Sequence, residues 1–167
     1  MAENGKSSAD SAVRFADPNT SVGYLTRIAF RAFSRALERR TLPFGVSAGQ
    51  WRFLRQLWIE DGLTQRELSR RVSMREPTTV TAVNSLVRSG FVDRVPSVSD
   101  RRKVHIHLTE RGRTLRAALL PMVAEVNDLA TQGIEPVEMA TFLRVLASIN
   151  ANLSGEADEP LVYGADV

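Results

Sequence analysis

Residues 64–112 read TQRELSRRVSMREPTTVTAVNSLVRSGFVDRVPSVSDRRKVHIHLTERG, and this stretch decides the fold. Thr64 and Glu67 have the spacing of a capping box, in which each side chain bonds a backbone N–H at the other residue, so a short helix is predicted to begin there. After a four-residue turn, Pro77 suits the first position of a second helix, and Gly90 suits the residue just past its end. Two short helices joined by a tight turn predict a helix-turn-helix.

A two-stranded ribbon is predicted to follow the second helix. Residues 91–95 have the pattern of a strand, residues 96–103 that of a charged loop, and residues 104–108 that of a return strand with strict apolar and polar alternation. A helix-turn-helix followed by such a ribbon predicts a winged helix-turn-helix, which can bring both its second helix and its ribbon tip to DNA.

Positive charge is concentrated in the same region. Residues 64–116 carry twelve lysines and arginines against five acids, whereas the rest of the chain carries ten against fourteen, for a net charge of +3. A charged block is often only a solvated face. Three consecutive cations at the ribbon tip, Arg101 to Lys103, nevertheless suit a DNA minor groove.

Helical geometry separates the two sides of the second helix, because each residue advances by about 100°. If Val83 is the centre of the buried side, then Thr79, Val80, Leu86 and Val87 also face inward. The residues predicted to face a DNA groove are Arg75, Thr78, Thr81, Ser85 and Arg88. Polar residues of this kind can also simply solvate an exposed helix; it is the adjoining ribbon that favours DNA contact.

Apolar residues at helical spacing continue on both sides of this region. A first helix is predicted from about residue 20 to residue 40, and Ser47 begins a second helix with a capping box. Thr109 can cap a long helix, and Pro136 opens a last helix that is too apolar to stand alone at a surface.

The motifs SLVRSGFVDRV and SDRRKVHIHLTERG, in this order after a capped helix, resemble the MarR family of bacterial transcription regulators. The resemblance covers about residues 20–153 and implies a homodimer in which the first helix and the last two helices interlock. It further implies a transcriptional repressor on a palindromic double-stranded operator. An architectural DNA-binding protein without strong sequence preference is the alternative that the basic block alone permits.

The resulting fold class is mainly α with a small β-wing (α+β): a winged helix-turn-helix DNA-binding lobe plus a helical dimerisation lobe built from N- and C-terminal helices. The expected regions are a flexible tail (1–19), the dimerisation region (20–46 and 114–153), the DNA-binding region (47–113) and a second flexible tail (154–167).

The resemblance also assigns roles in the wing. It implies that Arg102 enters the minor groove and that Asp100 pairs with it and holds it in place. A narrow minor groove has an enhanced negative potential that favours such an arginine. Arg94, Arg101 and Lys103 are expected to meet phosphates, which adds affinity without reading sequence.

Members of the family commonly respond to aromatic acids or phenols, so a small aromatic effector is expected. Its predicted pocket contains the aromatic residues Phe30 and Trp51 and the arginines Arg27 and Arg31. Two structural roles are the alternatives. The aromatic residues can belong to the core, and the arginines, which recur every four residues, can form a solvated or intersubunit face.

Other classes of function find little support in the sequence. The chain has no cysteine, and its only histidines, His105 and His107, are expected on the outer face of a strand without an acidic third ligand, so no metal or cofactor is predicted. No nucleophile elbow or phosphate-binding glycine loop is present, so an enzyme is not expected. There is no apolar run of about 20 residues and no signal core, so we expect a bacterial cytoplasmic protein that associates with the nucleoid when bound to DNA.

Overall fold

The computed structural model describes residues 17–97, 100 and 103–154. In chain order the elements are α1 (Val22–Thr41), a 3₁₀ turn (Leu42–Phe44), α2 (Ala48–Ile59), β1 (Leu63–Thr64), α3 (Gln65–Arg71), α4 (Glu76–Arg88), β2 (Val92–Pro96), β3 (Val104–Leu108), α5 (Glu110–Thr131) and α6 (Pro136–Ser154). The predicted fold class, mainly helical with a small β-wing, is confirmed.

The helix starts follow the local capping signals. Ser47 and Gln50 form a capping box at α2, and Thr64 and Glu67 form another at α3. At α3 the Thr64 backbone N–H donates to a Glu67 carboxylate oxygen at 2.8 Å, and the Glu67 N–H donates to Thr64 Oγ1 at 3.3 Å. Hydrogen bonds from the Thr64 side chain and backbone hold the pKa of the Glu67 carboxyl below its usual value. Pro77 occupies the second helical position of α4 instead of the predicted first, because the helix already begins at Glu76.

The sheet has a strand that the sequence pattern did not predict. Its order is β1-β3-β2, and both pairings are antiparallel. Leu63 of β1 pairs with Ile106 of β3. A strand of two residues is too short to show an alternating pattern, so it forms only through this pairing. The first strand of the wing covers 92–96, one residue later than predicted, and therefore includes Pro96.

The two histidines of β3 are less exposed than the alternation predicted. Both are half-buried, because the turn that precedes β1 packs against them. His105 Nδ1 lies 2.7 Å from the Gly62 carbonyl oxygen, and His107 Nδ1 lies 3.9 Å from Asp61 Oδ2. Within the described residues, no group of three potential ligands could hold a metal ion.

The hydrophobic core lies under the sheet and between the short helices. It is built around α2, from which Phe53, Leu54 and Leu57 are fully or almost fully buried. Val83 and Leu86 of α4 pack into the same cluster, as do side chains of β2, β3 and α5. This core fixes α4 and the two wing strands as one unit.

The start of α5 is joined closely to the end of α4. The Thr109 N–H donates to the Phe91 carbonyl at 3.0 Å, and Thr109 Oγ1 accepts from the Gly112 N–H at 3.0 Å. Trp58 Nε1 of α2 donates to the Gly112 carbonyl at 2.9 Å. The wing exit is therefore anchored to both neighbouring helices.

The outer helices leave much apolar surface uncovered. Helix α1 packs against α5, but no residue of α6 within the described part of the chain is buried. Val137 and Leu143 of α6 are 72% and 58% exposed. No helix among the described residues has the length and hydropathy to span a membrane.

Candidate nucleic-acid interface

The buried side of α4 is rotated relative to the expectation. Thr79, Val83 and Leu86 are fully buried, as predicted, but Val80 is 37% exposed and not inward. At about 100° per residue, the centre of the three buried positions lies roughly 30° from Val83, on the side of Thr79 and Leu86. The rotation follows from packing against α2, which contacts α4 from that side.

This rotation divides the predicted groove-facing residues. Thr81 and Arg88 lie on the open side and are exposed, whereas Thr78 and Ser85 are half-buried. Gln50 Nε2 of α2 lies 3.0 Å from Ser85 Oγ and 3.1 Å from Ser89 Oγ. Ser85 therefore lies at the edge of the open side, where α2 partly covers it.

Thr78, Thr81 and Ser85 also line a groove between α4, α2 and Phe30 of α1, with a volume of about 640 Å³. Arg75 was also predicted to face the groove, from just before the helix. It is the exposed N-cap residue of α4 and has an extended backbone. Its position leaves the side chain at the end of the helix that commonly approaches bases.

One residue of this surface was missed by the sequence analysis. Asn84 of α4 accepts a hydrogen bond from Arg94 Nη2 of β2, with 2.7 Å between its Oδ1 and that nitrogen. Asn84 follows Thr81 by three positions, which places the two on neighbouring parts of one helix face. This spacing could have indicated from the sequence that Asn84 belongs to the surface. It does not indicate that Arg94 of the wing strand is its hydrogen-bond partner.

At the base of the wing tip, backbone hydrogen bonds close the turn. The Ser97 N–H donates to the Lys103 carbonyl at 2.9 Å, and the Lys103 N–H donates to the Asp100 carbonyl at 2.8 Å. Lys103 is exposed and Asp100 is half-buried. The predicted contacts of Arg101 and Arg102 fall outside the described residues.

A separate cavity of about 380 Å³ lies between α1, α2 and α5. Phe30 and Trp51 line it, but the predicted arginines Arg27 and Arg31 do not. Arg27 instead stacks on the ring of Tyr24, with its guanidinium carbon 5.6 Å from the ring centroid.

The cations that line the cavity come from α2 and α3: Arg52, Arg55 and Arg71. The arginines spaced by four residues on α1 are exposed, while the neighbouring stripe with Phe33 and Leu37 faces the cavity.

An exposed face on α4, a wing strand joined to that helix through Arg94, and a hydrogen-bonded wing turn together define a winged helix-turn-helix DNA-binding protein. The sequence comparisons agree. The MarR family model matches residues 46–104. The HTH-type transcriptional regulator YwhA of Bacillus subtilis strain 168 is 27% identical over 116 residues, which are 70% of this chain and 84% of that protein.

A second relative is the HTH-type transcriptional regulator TtmR of Methylorubrum extorquens strain PA1. It is 29% identical over 129 residues, or 77% of this chain, which spans 65% of the length of TtmR. Among solved structures, the transcriptional regulator PA3341 is 34% identical with a TM-score of 0.70, covering 80% of this chain and 98% of that one. A mutant MarR from E. coli in complex with operator DNA shares the fold, with 23% identity, a TM-score of 0.73, and coverage of 77% and 92% of the two chains.

The chain belongs to the MarR family of transcription regulators. It is accordingly a DNA-binding regulator and not an enzyme.

Proposed function

We propose that this protein is a homodimeric repressor that binds a palindromic operator and is released by a small aromatic anion. The observation that carries the DNA part is the hydrogen bond between Asn84 and Arg94, because it joins the open face of α4 to the wing in one surface. The complex of a related MarR with operator DNA supports a double-stranded partner of this kind. Selection of bound genomic fragments tests it: a regulator yields one palindrome, whereas an architectural protein yields scattered AT-rich DNA.

In this proposal the sequence is read mainly by Thr81 and Arg75, through contacts to base edges in the major groove, while Thr78 and Ser85 approach from the α2 side. Arg88, Arg94, Arg101 and Lys103 contact phosphates. A threonine methyl group favours thymine, and an arginine favours guanine. Substitution of a reading residue therefore relaxes specificity, whereas substitution of a phosphate contact weakens all sequences alike.

Arg102 is proposed as the minor-groove probe and Asp100 as the residue that orients it. Arg102→Ala is expected to weaken operator binding by about 1–3 kcal/mol, measured by titration at fixed salt. Lys103→Ala is the matched control, because it removes a neighbouring cation that is assigned only to a phosphate. An operator affinity of Arg102→Ala equal to that of the wild type, or a loss no larger than that of Lys103→Ala, would contradict the assignment.

The dimer is proposed from the uncovered apolar surface of the outer helices. Val137, Phe142 and Leu143 of α6 and Leu25 and Ile28 of α1 are all at least 40% exposed in the single chain. Large apolar side chains left exposed on two helices indicate an interaction site. A second copy packed there would bring two α4 helices to successive major grooves. Sedimentation of the full chain at micromolar concentration is expected to give a dimer, and a monomer would refute this part.

The effector is proposed to occupy the cavity between α1, α2 and α5. Trp51 and Phe30 offer aromatic surface, and Arg55 offers a cation for a carboxylate. Val72, which lies in the turn before α4, lines the same cavity, so a ligand there touches the segment that positions the DNA-binding helix. Release of DNA requires that the ligand bind the DNA-free state more tightly.

A thermal-shift screen with aromatic carboxylates and phenols tests the cavity, followed by DNA-release titrations of the hits. Arg55→Gln is expected to weaken carboxylates more than phenols, because it removes the cation and leaves the aromatic wall. Arg27→Gln is the control, since Arg27 does not line the cavity. No shift with any compound of either class would count against this effector, and equal losses in the two variants would count against Arg55.

A further inference from the structure

A side-chain hydrogen bond between Asn84 and Arg94 links α4 to the wing. Arg94 pairs with Ile106 in the β2-β3 register, so both side chains lie on the same face of the sheet. Ile106 is fully buried in the core, whereas Arg94 extends past it to an exposed position and reaches Asn84 Oδ1 at 2.7 Å. The guanidinium is therefore held at the rim between helix and strand.

The partner of this guanidinium is neutral, unlike the partners of Arg113 and Arg71. Arg113 lies 3.0 Å from an Asp61 carboxylate oxygen, and Arg71 contacts the Glu60 carboxylate, so both of these charges are compensated. An amide oxygen orients a guanidinium without cancelling its charge, and it engages one of five N–H donors. Arg94 thus keeps a full positive charge in a fixed orientation.

The acid nearest to Arg94 in sequence does not change this. Asp93 is the preceding residue on the strand, so its side chain points to the opposite face, where the register pairs it with His107. The face that Arg94 shares with Asn84 is therefore separated from that carboxylate by the strand itself. Within the part of the chain that the structure describes, no carboxylate forms an ion pair with Arg94, and a fixed cation of this kind beside a DNA-binding helix has the properties of a phosphate-binding group.

We propose that Asn84 is a positioning residue that holds the Arg94 guanidinium against a DNA phosphate at the boundary between α4 and the wing, and that its neutrality is required. The inference rests on the proposed DNA-binding function and extends it to a residue outside the predicted set. The contact reads no bases, so it strengthens binding to operator and to unrelated DNA alike. It also fixes the wing strand relative to the helix in the groove.

Asn84→Asp separates positioning for DNA from a structural role. The aspartate keeps the size and the acceptor and strengthens the bond to Arg94, but it cancels the charge. A purely structural contact predicts unchanged or higher thermal stability and unchanged DNA affinity. The proposal instead predicts unchanged or higher stability together with about tenfold weaker binding to operator and non-operator duplexes, and a salt dependence of log affinity that is shallower by about one unit.

Four further variants complete the experiment with the full chain. Arg94→Ala is expected to show the same loss and the same change of salt dependence, and Asn84→Ala combined with Arg94→Ala no additional loss, because both act on one contact. Asn84→Ala, which keeps the arginine but not its orientation, is expected to lose affinity less than Arg94→Ala. Asn19→Asp makes the same charge change in the segment before α1 and is expected to bind as the wild type does.

Wild-type affinity and salt dependence in Asn84→Asp would overturn the proposal while leaving the DNA-binding function intact. An equal loss in Asn19→Asp would overturn it too, because the effect would then be one of net charge. If the wild-type chain bound neither the selected operator nor unrelated DNA at low salt, the proposed function itself would fail, and the role of Asn84 with it.

Discussion

Replacing Gly112 by alanine sets two physical effects of opposite sign against each other. Gly112 lies in the first turn of α5 and is buried. A Cβ built at this position would lie 2.1 Å from the Phe91 carbonyl oxygen and 3.1 Å from its carbonyl carbon. Real Cβ atoms stay beyond 3.0 Å from such atoms, so α5 or the segment before β2 would have to move by about 1 Å.

Helix propensity alone favours alanine over glycine by about 1 kcal/mol. Overpacking against a backbone carbonyl costs about 1–3 kcal/mol, since the obstacle is not the end of a flexible side chain. The required movement also strains the bonds from the Thr109 N–H to Phe91 and from Trp58 Nε1 to Gly112, each of which contributes about 1 kcal/mol. The expected net loss of stability is therefore about 1–3 kcal/mol.

Urea and thermal unfolding measure this difference at fixed protein concentration, because the unfolding midpoint of the proposed dimer would depend on concentration. For a chain of this size the loss corresponds to a decrease of about 3–10 °C in Tm. Gly49→Ala is the matched control: it also lies in a first helical turn, but its Cβ would meet nothing closer than Ser47 Oγ at 3.7 Å. If Gly112→Ala unfolded at or above the wild-type midpoint, the claim that this glycine is required by close packing would be refuted.

Four further substitutions test local parts of the fold by unfolding measurements. Thr64→Ala is expected to cost about 1 kcal/mol by removing the cap of α3. The lowered pKa of Glu67 means that its ionised carboxylate stabilises the fold above the ordinary glutamate pKa of 4.5. This stabilisation is lost as the pH falls through the lower pKa of the folded state. The difference in stability between the wild type and Glu67→Gln should therefore shrink on acidification. Trp58→Phe keeps an aromatic side chain but removes the indole N–H that donates to the Gly112 carbonyl. Loss of this hydrogen bond is expected to lower the stability by about 1 kcal/mol. Thr79→Val is expected to be neutral or stabilising, because the buried Thr79 Oγ1 has no hydrogen-bond partner among the described residues; a loss above 1 kcal/mol would argue for a missing partner.

The sequence predicts those parts of the fold whose cause is local. The caps at Ser47, Thr64 and Thr109 are each determined by a residue and its third neighbour, and all three form as expected. β1 was not predicted, because two residues have no measurable period and Leu63 adopts its extended pairing only against Ile106. Local signals therefore locate the helices, whereas the third strand of the sheet depends on tertiary contact.

The candidate interface was predicted less accurately than the fold because a helix face is defined by what covers it. Val83 is buried, as predicted, but placing it at the centre of the buried side assumed that neighbouring elements pack equally on both sides of α4. Helix α2 covers α4 from one side, where Gln50 contacts the half-buried Ser85, and Val80 on the other side is left exposed. A rotation of roughly 30° is within the error of any assignment made from one helix alone.

The basic block illustrates a further limit, because a count of cations does not separate structural arginines from those that can meet DNA. Arg71 and Arg113 are paired with Glu60 and Asp61, acids that lie just outside the block and so were not counted with it. Arg111 stacks over the ring of Phe91 at 4.9 Å and donates to a backbone carbonyl, so its role is to hold the start of α5. We therefore expect fewer phosphate contacts than the charge of the block suggests, and a correspondingly shallower salt dependence of DNA binding.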